Sequence, residues 1–349
     1  MTDDYERTNT LNIVVLAGGY SPEREVSLTS GTLIANALIE KGHRVLLLDV
    51  YVGLSTIPKS LETLFVTTPY PLHTISEEVP DLAALKASCN NGGALIGANV
   101  LKLCAMADKV FLALHGSMGE NGQLQATLDT HGIRYTGSGY AGSLLAMDKD
   151  ISKRLFRDAG VPTPDWVYLK KDCPENEKAL ASIGLPCVVK PCHCGSSVGV
   201  SIVETQEALD AALTEAFSWG GEVLVEKKIV GRELTVGVLD GKALPLVEII
   251  PDEGFYDYKN KYQGKTREVC PAEVSAEVSD RASSLSLLGF SALRLHGYAR
   301  FDFLLDGEGE LWCLEANTLP GMTPMSLLPQ AAAAAGISYP ELCERMICL

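Results

Sequence analysis

The stretch LNIVVLAGG, residues 11–19, decides the fold class. Its apolar run predicts a buried strand, and its two glycines predict a tight turn where that strand ends. A helical pattern over residues 26–41 and a second apolar run over residues 44–50 follow. Strand, helix and strand in this order predict a βαβ unit, which opens a parallel sheet of the α/β class.

The composition is typical of a globular protein with two or three packed units. The chain has 349 residues, of which 46% are hydrophobic and 21% charged. This length is more than one core usually holds. No apolar run approaches the roughly 18 residues of a membrane span. The start, residues 1–6, is acidic and lacks the basic and apolar parts of a signal peptide, so we expect a cytoplasmic protein.

The charge balance narrows the choice of partners. Lys and Arg number 29 and Asp and Glu number 44, so the net charge is −15. An acidic chain repels nucleic-acid backbones and anionic lipids, so we expect neither nucleic acid nor a membrane as a partner. A small anion can still bind where a few lysines and backbone N–H groups converge.

The rest of the chain alternates strand and helix patterns. We predict strands at 109–114, 186–190, 200–203, 223–227, 233–239, 243–250, 298–305 and 310–317, and helices at 81–88, 123–131, 147–159, 206–218, 279–295 and 326–336. A new pattern of elements begins near Ser138, and we predict three domains, 1–137, 138–225 and 226–349.

Residues 297–317 read GYARFDFLLDGEGELWCLEAN and predict a β-hairpin. The turn is Asp-Gly-Glu-Gly, residues 306–309, between two runs of alternating polarity. We expect Leu305 to pair with Glu310. In that register Arg300 lies opposite Glu315, and Asp302 lies opposite Cys313.

Side chains alternate between the two faces of a strand, so this hairpin has a polar and an apolar face. The polar face carries Arg300, Asp302, Glu315 and Asn317, and the apolar face carries Phe301, Phe303, Trp312 and Leu314. Two carboxylates and an amide oxygen form a hard oxygen site that suits Mg²⁺ with bridging phosphates. The alternative is a solvated sheet face with a structural ion pair.

A second candidate site lies in residues 187–199, CVVKPCHCGSSVG. Lys190 ends an apolar strand and must project into a cleft, and the glycine-bearing loop after it offers N–H groups to phosphate oxygens. The loop is not a P-loop, because the G-x4-G-K-[ST] order of residues is absent. Taken alone, an ordinary hairpin turn explains it equally well. Lys149 at a helix start and Glu226 at a strand end are, taken alone, ordinary surface positions.

Two further groups fit a ligand site in the first sheet. Glu23 begins the helix after the first strand, and His115 ends another strand, so both can reach the crevice beyond the strand ends. A carboxylate there suits a substrate amine. The alternative is that Glu23 only interacts favourably with the dipole of the helix that it begins. The aromatic and basic residues 255–262 are typical of a mobile lid.

A zinc site in the cysteine-rich part of the second candidate loop has weak support. Cys187, Cys192, His193 and Cys194 lack the C-x2-C spacing that is usual for zinc. We therefore interpret these thiols as small buried or loop residues.

Together these segments resemble the D-alanine–D-alanine ligase family of the ATP-grasp superfamily, from about Asn12 to Met346. The matching motifs are SPEREVSL (21–28), ALHGSMGENGQLQ (113–125), YTGSG (135–139), MDK (147–149), KP with GSSVG (190–199), VEK with GRE (225–233), FYDYKNKY (255–262), RFD (300–302) and EANTLPGMTPMSL (315–327). The resemblance implies an N-terminal parallel-sheet (pre-ATP-grasp) domain followed by a two-lobed ATP-grasp fold.

The resemblance also implies an activity and its ligands. Members of this family join two D-alanines into D-alanyl-D-alanine through an acyl phosphate, which supplies the precursor of the peptidoglycan cell wall. The implied co-substrate is ATP, the implied cofactor is Mg²⁺ or Mn²⁺ with two ions per site, and the implied assembly is a homodimer.

Residue roles follow by resemblance. The ATP phosphates would be held by Lys149, Lys190 and Lys261 under the Ser196-Ser197 loop, the adenine by Glu226 and Lys227, and the ribose by Glu233. The metal ions would be held by Asp302, Glu315 and Asn317. The first D-alanine would bind Glu23, with His115 in the same site, and the second Ser326 and Leu327. A triad of Glu23, Ser196 and Tyr262 would close the site, and Arg300 with the Gly321 N–H would stabilise the oxyanion.

This sequence departs from the family at His193-Cys194, where a charged or longer polar residue is frequent, so the loop contacts there stay open.

Other classes of protein fit less well. A D-alanine–D-lactate ligase tends to lack the lid tyrosine, and Tyr262 is present here; another ATP-grasp carboxylate–amine ligase also stays open. A Rossmann oxidoreductase rests only on Gly18-Gly19 and lacks G-x-G-x-x-G. An inactive homologue would lack motif residues, and none is missing.

Overall fold

The structure is a computed structural model that describes residues 10–60, 63–73, 80–89, 91–195, 197–251 and 266–349, with every side chain of these except that of Ser117. Its strands form three sheets, and helices pack against each of them. Within these ranges, no helix has both the length and the apolar composition that crossing a bilayer requires.

The first sheet is parallel and has the strand order β2-β1-β3. Its strands are β1 (Asn12–Ala17), β2 (Arg44–Asp49) and β3 (Lys109–Leu112), and α1 (Arg24–Glu40) connects β1 to β2. This confirms the predicted βαβ unit. Gly31 lets α1 lie directly on β1, because a Cβ at this position would be 2.5 Å from the Cβ of Ala17.

Two helices, α2 (Leu82–Ser88) and α3 (Val100–Cys104), precede β3 along the chain. Four more follow β3 before the next sheet begins: α4 (Ser117–Glu120), α5 (Gln123–Thr130), α6 (Tyr140–Met147) and α7 (Lys149–Asp158). The predicted helix over residues 147–159 is confirmed as α7, but it begins two residues later than expected, because a separate helix, α6, ends at Met147. Asp148 interrupts the two helices as the N-cap of α7, where its carboxylate accepts a hydrogen bond from the Ile151 N–H at 3.0 Å.

The second sheet is antiparallel, in the order β4-β7-β5-β6. It consists of β4 (Trp166–Lys170), β5 (Cys187–Pro191), β6 (Ser201–Val203) and β7 (Glu222–Lys227). Helices α8 (Asn176–Ile183) and α9 (Gln206–Ser218) cover one face, where Val189, Val225 and Leu209 form the core. The opposite face of this sheet lines a cavity.

The third sheet is also antiparallel, and β8 and β12 lie at its centre. Its strands are β8 (Gly231–Leu239), β9 (Lys242–Ala243), β10 (Val247–Pro251), β11 (Thr266–Val269), β12 (Tyr298–Asp306) and β13 (Leu311–Asn317). Helix α10 (Ala276–Ala292) and α7 cover one face, where Phe156 and Phe301 pack with ring centroids 6.2 Å apart. The predicted strand 243–250 is divided into β9 and β10.

The predicted hairpin exists, but its predicted register was wrong. Leu305 pairs with Leu311 rather than Glu310, and a β-bulge after Asp302 shifts the pairing by one further residue. Beyond the bulge, Asp302 lies opposite Glu315 and Arg300 opposite Asn317. A bulge places two residues of one strand against one residue of the other, which the simple alternation of side chains does not anticipate.

The bulge also changes which hairpin residues are buried. Phe301, Phe303, Cys313 and Ala316 lie in the core, whereas Leu314 lines a cavity beside Glu315. Trp312, which we expected on the apolar face, donates a hydrogen bond from its indole N–H to Asp306 at 2.8 Å.

The C-terminal helices pack onto the first sheet. Residues of α11 (Leu327–Ala334) and α12 (Tyr339–Cys348) belong to the same buried cluster as the strands of that sheet. A buried pair joins them, with His43 Nε2 2.7 Å from Glu344 Oε2. The domain division at residues 137 and 225 stays a prediction, and this shared core joins its first and last parts.

Candidate active site

Two adjoining cavities meet at Lys149 and Glu315, which line both of them. The larger, of about 500 Å³, is lined by the second and third sheets. The smaller, of about 250 Å³, is lined by α1, by residues 115–120 and by the chain after β13. A reacting group at the junction is therefore accessible from both.

The larger cavity has apolar walls and a charged end. Val188 and Ile202 line it from the second sheet, and Ile249 and Leu304 from the third. The predicted residues that line it are Lys149, Lys190, Ser197, Glu226, Lys227, Glu233, Asp302 and Glu315. Flat apolar walls with cations at one end suit a planar ring that carries an anionic chain.

A buried charge network supports the wall at Glu226. The Glu226 carboxylate lies 2.5 Å from Lys190 Nζ and 3.0 Å from Lys153 Nζ. Burial raises the pKa of Glu226, but the two ammonium groups reverse this and leave the pKa below its ordinary value. Lys153 also donates to Thr163 Oγ1 at 2.6 Å, and burial lowers its pKa to about 8. Glu226 is thus held as an anion.

Replacing Lys153 by methionine is expected to lower the free energy of unfolding by about 3 kcal/mol, because removing one partner of a buried ion pair leaves the other charge poorly compensated. Lys190 still pairs with Glu226, so we expect a loss at the lower end of the roughly 3–5 kcal/mol that breaking a buried ion pair costs. Urea denaturation measures the change. Lys178→Met, at an exposed helical position, is the control, and equal stabilities of the two variants would contradict the assignment.

Lys149 joins the two cavities. Its Nζ lies 3.0 Å from Glu315 Oε2 and donates to the Cys194 carbonyl at 2.8 Å. Burial acts to lower the pKa of Lys149, but the charge of Glu315 outweighs it and the pKa is raised. A protonated amine therefore stands at the junction, where the end of an anionic chain would arrive.

The donor set of the hairpin fits a hard divalent cation. Asp302 Oδ1 accepts hydrogen bonds from Thr235 and from Arg300 Nε, and Oδ2 accepts one from the Arg300 guanidinium at 2.9 Å. These bonds use three of roughly four lone-pair directions of the carboxylate, so Oδ2 can still bind a cation. Glu315 lies directly opposite in the sheet, and Asn317 lines the smaller cavity nearby.

The smaller cavity holds a cluster of titratable groups. Glu23 and His115 line it as predicted, together with Glu120. His115 Nδ1 lies 4.0 Å from Glu120 Oε1. Burial, followed by the charges of Glu23 and Glu315, raises the pKa of Glu120 to about 8. Burial also lowers the pKa of His115, and this effect outweighs the charge of Glu23, which acts to raise it.

The far wall of this cavity is the chain after β13. Gly321, Ser326 and Leu327 line it, as does Arg300 from β12. A Cβ at residue 321 would lie 2.8 Å from Ser326 Oγ, so only glycine leaves the space open. Ser326 Oγ accepts a hydrogen bond from the Thr323 N–H at 3.1 Å, which orients the turn.

Two further residues of the site, Glu120 and Lys153, were not predicted from the sequence. Glu120 was visible within residues 113–125, but only as part of a motif. Lys153 follows Lys149 by one helical turn, a spacing that places both on one face of α7. Ser196, Lys261 and Tyr262 lie outside the residues that the structure describes, so their predicted roles stay predictions.

Comparisons with known proteins agree with this geometry. Residues 12–138 match the D-Ala–D-Ala ligase N-terminus and residues 155–348 the D-Ala–D-Ala ligase C-terminus. A D-alanine–D-alanine ligase of Pediococcus pentosaceus is 41% identical over 345 residues, covering 97% of both chains.

Solved structures are similar as well. The ligase of Bacillus anthracis complexed with ATP has a TM-score of 0.74 at 32% identity, covering 97% of this chain and 96% of that one. The VanG D-Ala:D-Ser ligase of Enterococcus faecalis has a TM-score of 0.76 at 26% identity, covering 98% and 99%.

The fold and the two joined cavities define a ligase of the ATP-grasp class. Within that class, the chain belongs to the D-alanine–D-alanine ligase family.

Proposed function

We propose that this chain joins two D-alanine molecules into D-alanyl-D-alanine at the expense of ATP, as a step in peptidoglycan synthesis. The observation that carries the proposal is the meeting of the two cavities at Lys149 and Glu315. One cavity has the size and polarity for a nucleotide, and the other has charged groups for two small amino acids. Phosphoryl transfer between them requires this junction.

In this proposal ATP occupies the larger cavity. Its adenine lies between the two sheets and is read by Glu226 and by the backbone after Lys227, and Glu233 accepts from the ribose hydroxyls. Lys149 and Lys190 neutralise the phosphates, with Ser197 in the covering loop and Lys261 from the lid. Phosphoryl transfer depends on such positioning and charge neutralisation.

Asp302, Glu315 and Asn317 are the residues that would hold Mg²⁺ or Mn²⁺, two ions per site. When bound, these ions supply positive charge to the phosphate oxygens. The residues themselves are held ready, because Arg300 and Thr235 orient Asp302 and Lys149 orients Glu315.

The two amino acids occupy the smaller cavity. Glu23 binds the ammonium of the first D-alanine, beside His115. The carboxylate of this D-alanine attacks the γ-phosphate, which gives D-alanyl phosphate and releases ADP. Ser326 and Leu327 hold the carboxylate of the second D-alanine. Its amine attacks the acyl carbon, and Arg300 with the Gly321 N–H stabilises the tetrahedral oxyanion before phosphate leaves.

Phosphate release measured with ATP and Mg²⁺ tests the activity. We expect release that depends on D-alanine and is absent with L-alanine, and chromatography should identify the dipeptide. D-serine and D-lactate, each offered with D-alanine, test the alternative acceptors. Phosphate release that is independent of D-alanine would refute the proposal, and a mixed product would reassign the second substrate.

Three statements remain predictions within this proposal. They are the homodimer, the cytoplasmic location and the closure of the site by Tyr262 and Ser196 over Glu23.

A further inference from the structure

A cluster of metal-ligand side chains lies outside the two cavities, where the N-terminus of α7 meets the loop after β5. Its members are Asp148, Cys192 and His193, whose ligand atoms all lie within 4.8 Å of one another. Asp148 is distant in sequence from the other two residues, and Cys187, which a sequence reading groups with them, lies in the core of the second sheet instead.

The distances in this cluster are close to those of a tetrahedral zinc site. The Cys192 Sγ lies 3.5 Å from Asp148 Oδ1, and His193 Nδ1 lies 3.9 Å from Asp148 Oδ2. Zinc bonds of about 2.3 Å to sulfur and about 2.1 Å to nitrogen and oxygen put sulfur and oxygen about 3.6 Å apart and nitrogen and oxygen about 3.4 Å apart. The two observed distances therefore lie within about half an ångström of these separations.

The imidazole of His193 is oriented for such a role. Its Nε2 lies 2.7 Å from Glu222 Oε2, and Glu222 in turn accepts a hydrogen bond from the Tyr168 hydroxyl. This leaves Nδ1 directed at Asp148. Metal-binding histidines commonly donate their other ring N–H to a carboxylate in this way.

Charge and access also suit a soft cation. Burial raises the pKa of the Cys192 thiol to about 12, so this thiol loses its proton only when a metal binds. The resulting thiolate and the Asp148 carboxylate together neutralise two positive charges. Cys192 is fully buried, whereas the His193 side chain is 48% exposed, so an ion can enter from the histidine side. The capping bond of α7 uses one lone pair of Asp148 Oδ1, so the carboxylate can still bind the ion.

We propose that Asp148, Cys192 and His193 bind one soft divalent cation such as Zn²⁺, with water as the fourth ligand, at a site separate from the Mg²⁺ ligands. The Cys192 thiol releases its proton to solvent as the sulfur–metal bond forms. The bound ion connects the start of α7 to the loop after β5. Lys149 at the start of α7 already contacts this loop, because its backbone N–H donates to the Cys192 carbonyl and its Nζ donates to the Cys194 carbonyl.

Co²⁺ titration of the full-length protein tests this site without reference to enzyme activity. Thiolate ligation of Co²⁺ gives a charge-transfer band in the near ultraviolet, which we expect to saturate at one equivalent and to disappear on adding Zn²⁺. Cys192→Ser should abolish the band, and Cys194→Ser is the matched control that should retain it. Glu222→Gln should weaken binding by about 10- to 100-fold, since it removes the orienting carboxylate.

Two further variants separate this site from the others. Glu315→Gln should leave the band unchanged, because Glu315 belongs to the Mg²⁺ ligands proposed above. If Cys192→Ser fails to fold, His193→Ala replaces it as the test, because His193 is half-exposed. We expect this variant to bind Co²⁺ more weakly than wild type. A wild-type protein without the band, or a band that survives both Cys192→Ser and His193→Ala, would overturn the proposal.

Discussion

Replacing Glu315 by glutamine is expected to lower kcat at least about 10³-fold. A glutamine keeps the shape and a hydrogen-bond acceptor for Lys149, 3.0 Å away, but loses the charge that, in the proposed function, would hold a divalent cation opposite Asp302. Charge stabilisation by such cations contributes several kcal/mol to phosphoryl transfer. Each loss of about 1.4 kcal/mol costs a factor of ten in rate.

Glu310→Gln is the matched control for this variant. Glu310 immediately precedes the same hairpin strand and pairs with Arg281 at an exposed site. We expect it to retain wild-type phosphate release. A Glu315→Gln protein that melts like wild type and still turns over within about tenfold of it would contradict the metal assignment.

Replacing Arg300 by lysine is expected to lower kcat about 10²- to 10³-fold, the usual cost of losing one preorganised oxyanion donor. Arg300 is buried and holds Asp302 by two hydrogen bonds of 2.9 Å while it also lines the smaller cavity. A lysine keeps the charge but has no planar fork, so it cannot orient Asp302 and face the cavity at once.

Steady-state kinetics with D-alanine as the varied substrate measures this loss. Arg281→Lys is the control, because that arginine pairs with Glu310 on the surface. We expect the effect in kcat rather than in KM, since the oxyanion exists only in the transition state and the intermediate. A change confined to KM would place Arg300 in ground-state binding instead.

Local patterns determined much of this protein. The apolar run before Gly18 and the helix and strand after it predicted the parallel sheet, and most of the later strands were found near their predicted positions. These predictions succeed because most strands and helices bury one face, and the residues of that face recur along the chain at the period of the element. The motifs also singled out Glu23, Lys149 and Lys190, which line the two cavities.

The register of the hairpin was decided only by tertiary structure. The bulge after Asp302 brings Asp302 and Glu315 opposite each other, a pairing that no local alternation encodes. Its cause lies in packing, because Phe303 and Cys313 must both enter the core while Leu314 and Glu315 both face the larger cavity. A bulge reconciles these demands at the cost of one irregular pair.

Long-range contacts decided the remainder of the site. Glu226 becomes a fixed anion only when Lys153 from α7 and Lys190 from β5 reach it. Likewise Asp148 meets Cys192 and His193 only because α7 begins beside the end of β5. The sequence determined which side chains were available. Their ionisation and pairing depend on burial and on neighbours distant in the chain, which exist only in the folded protein.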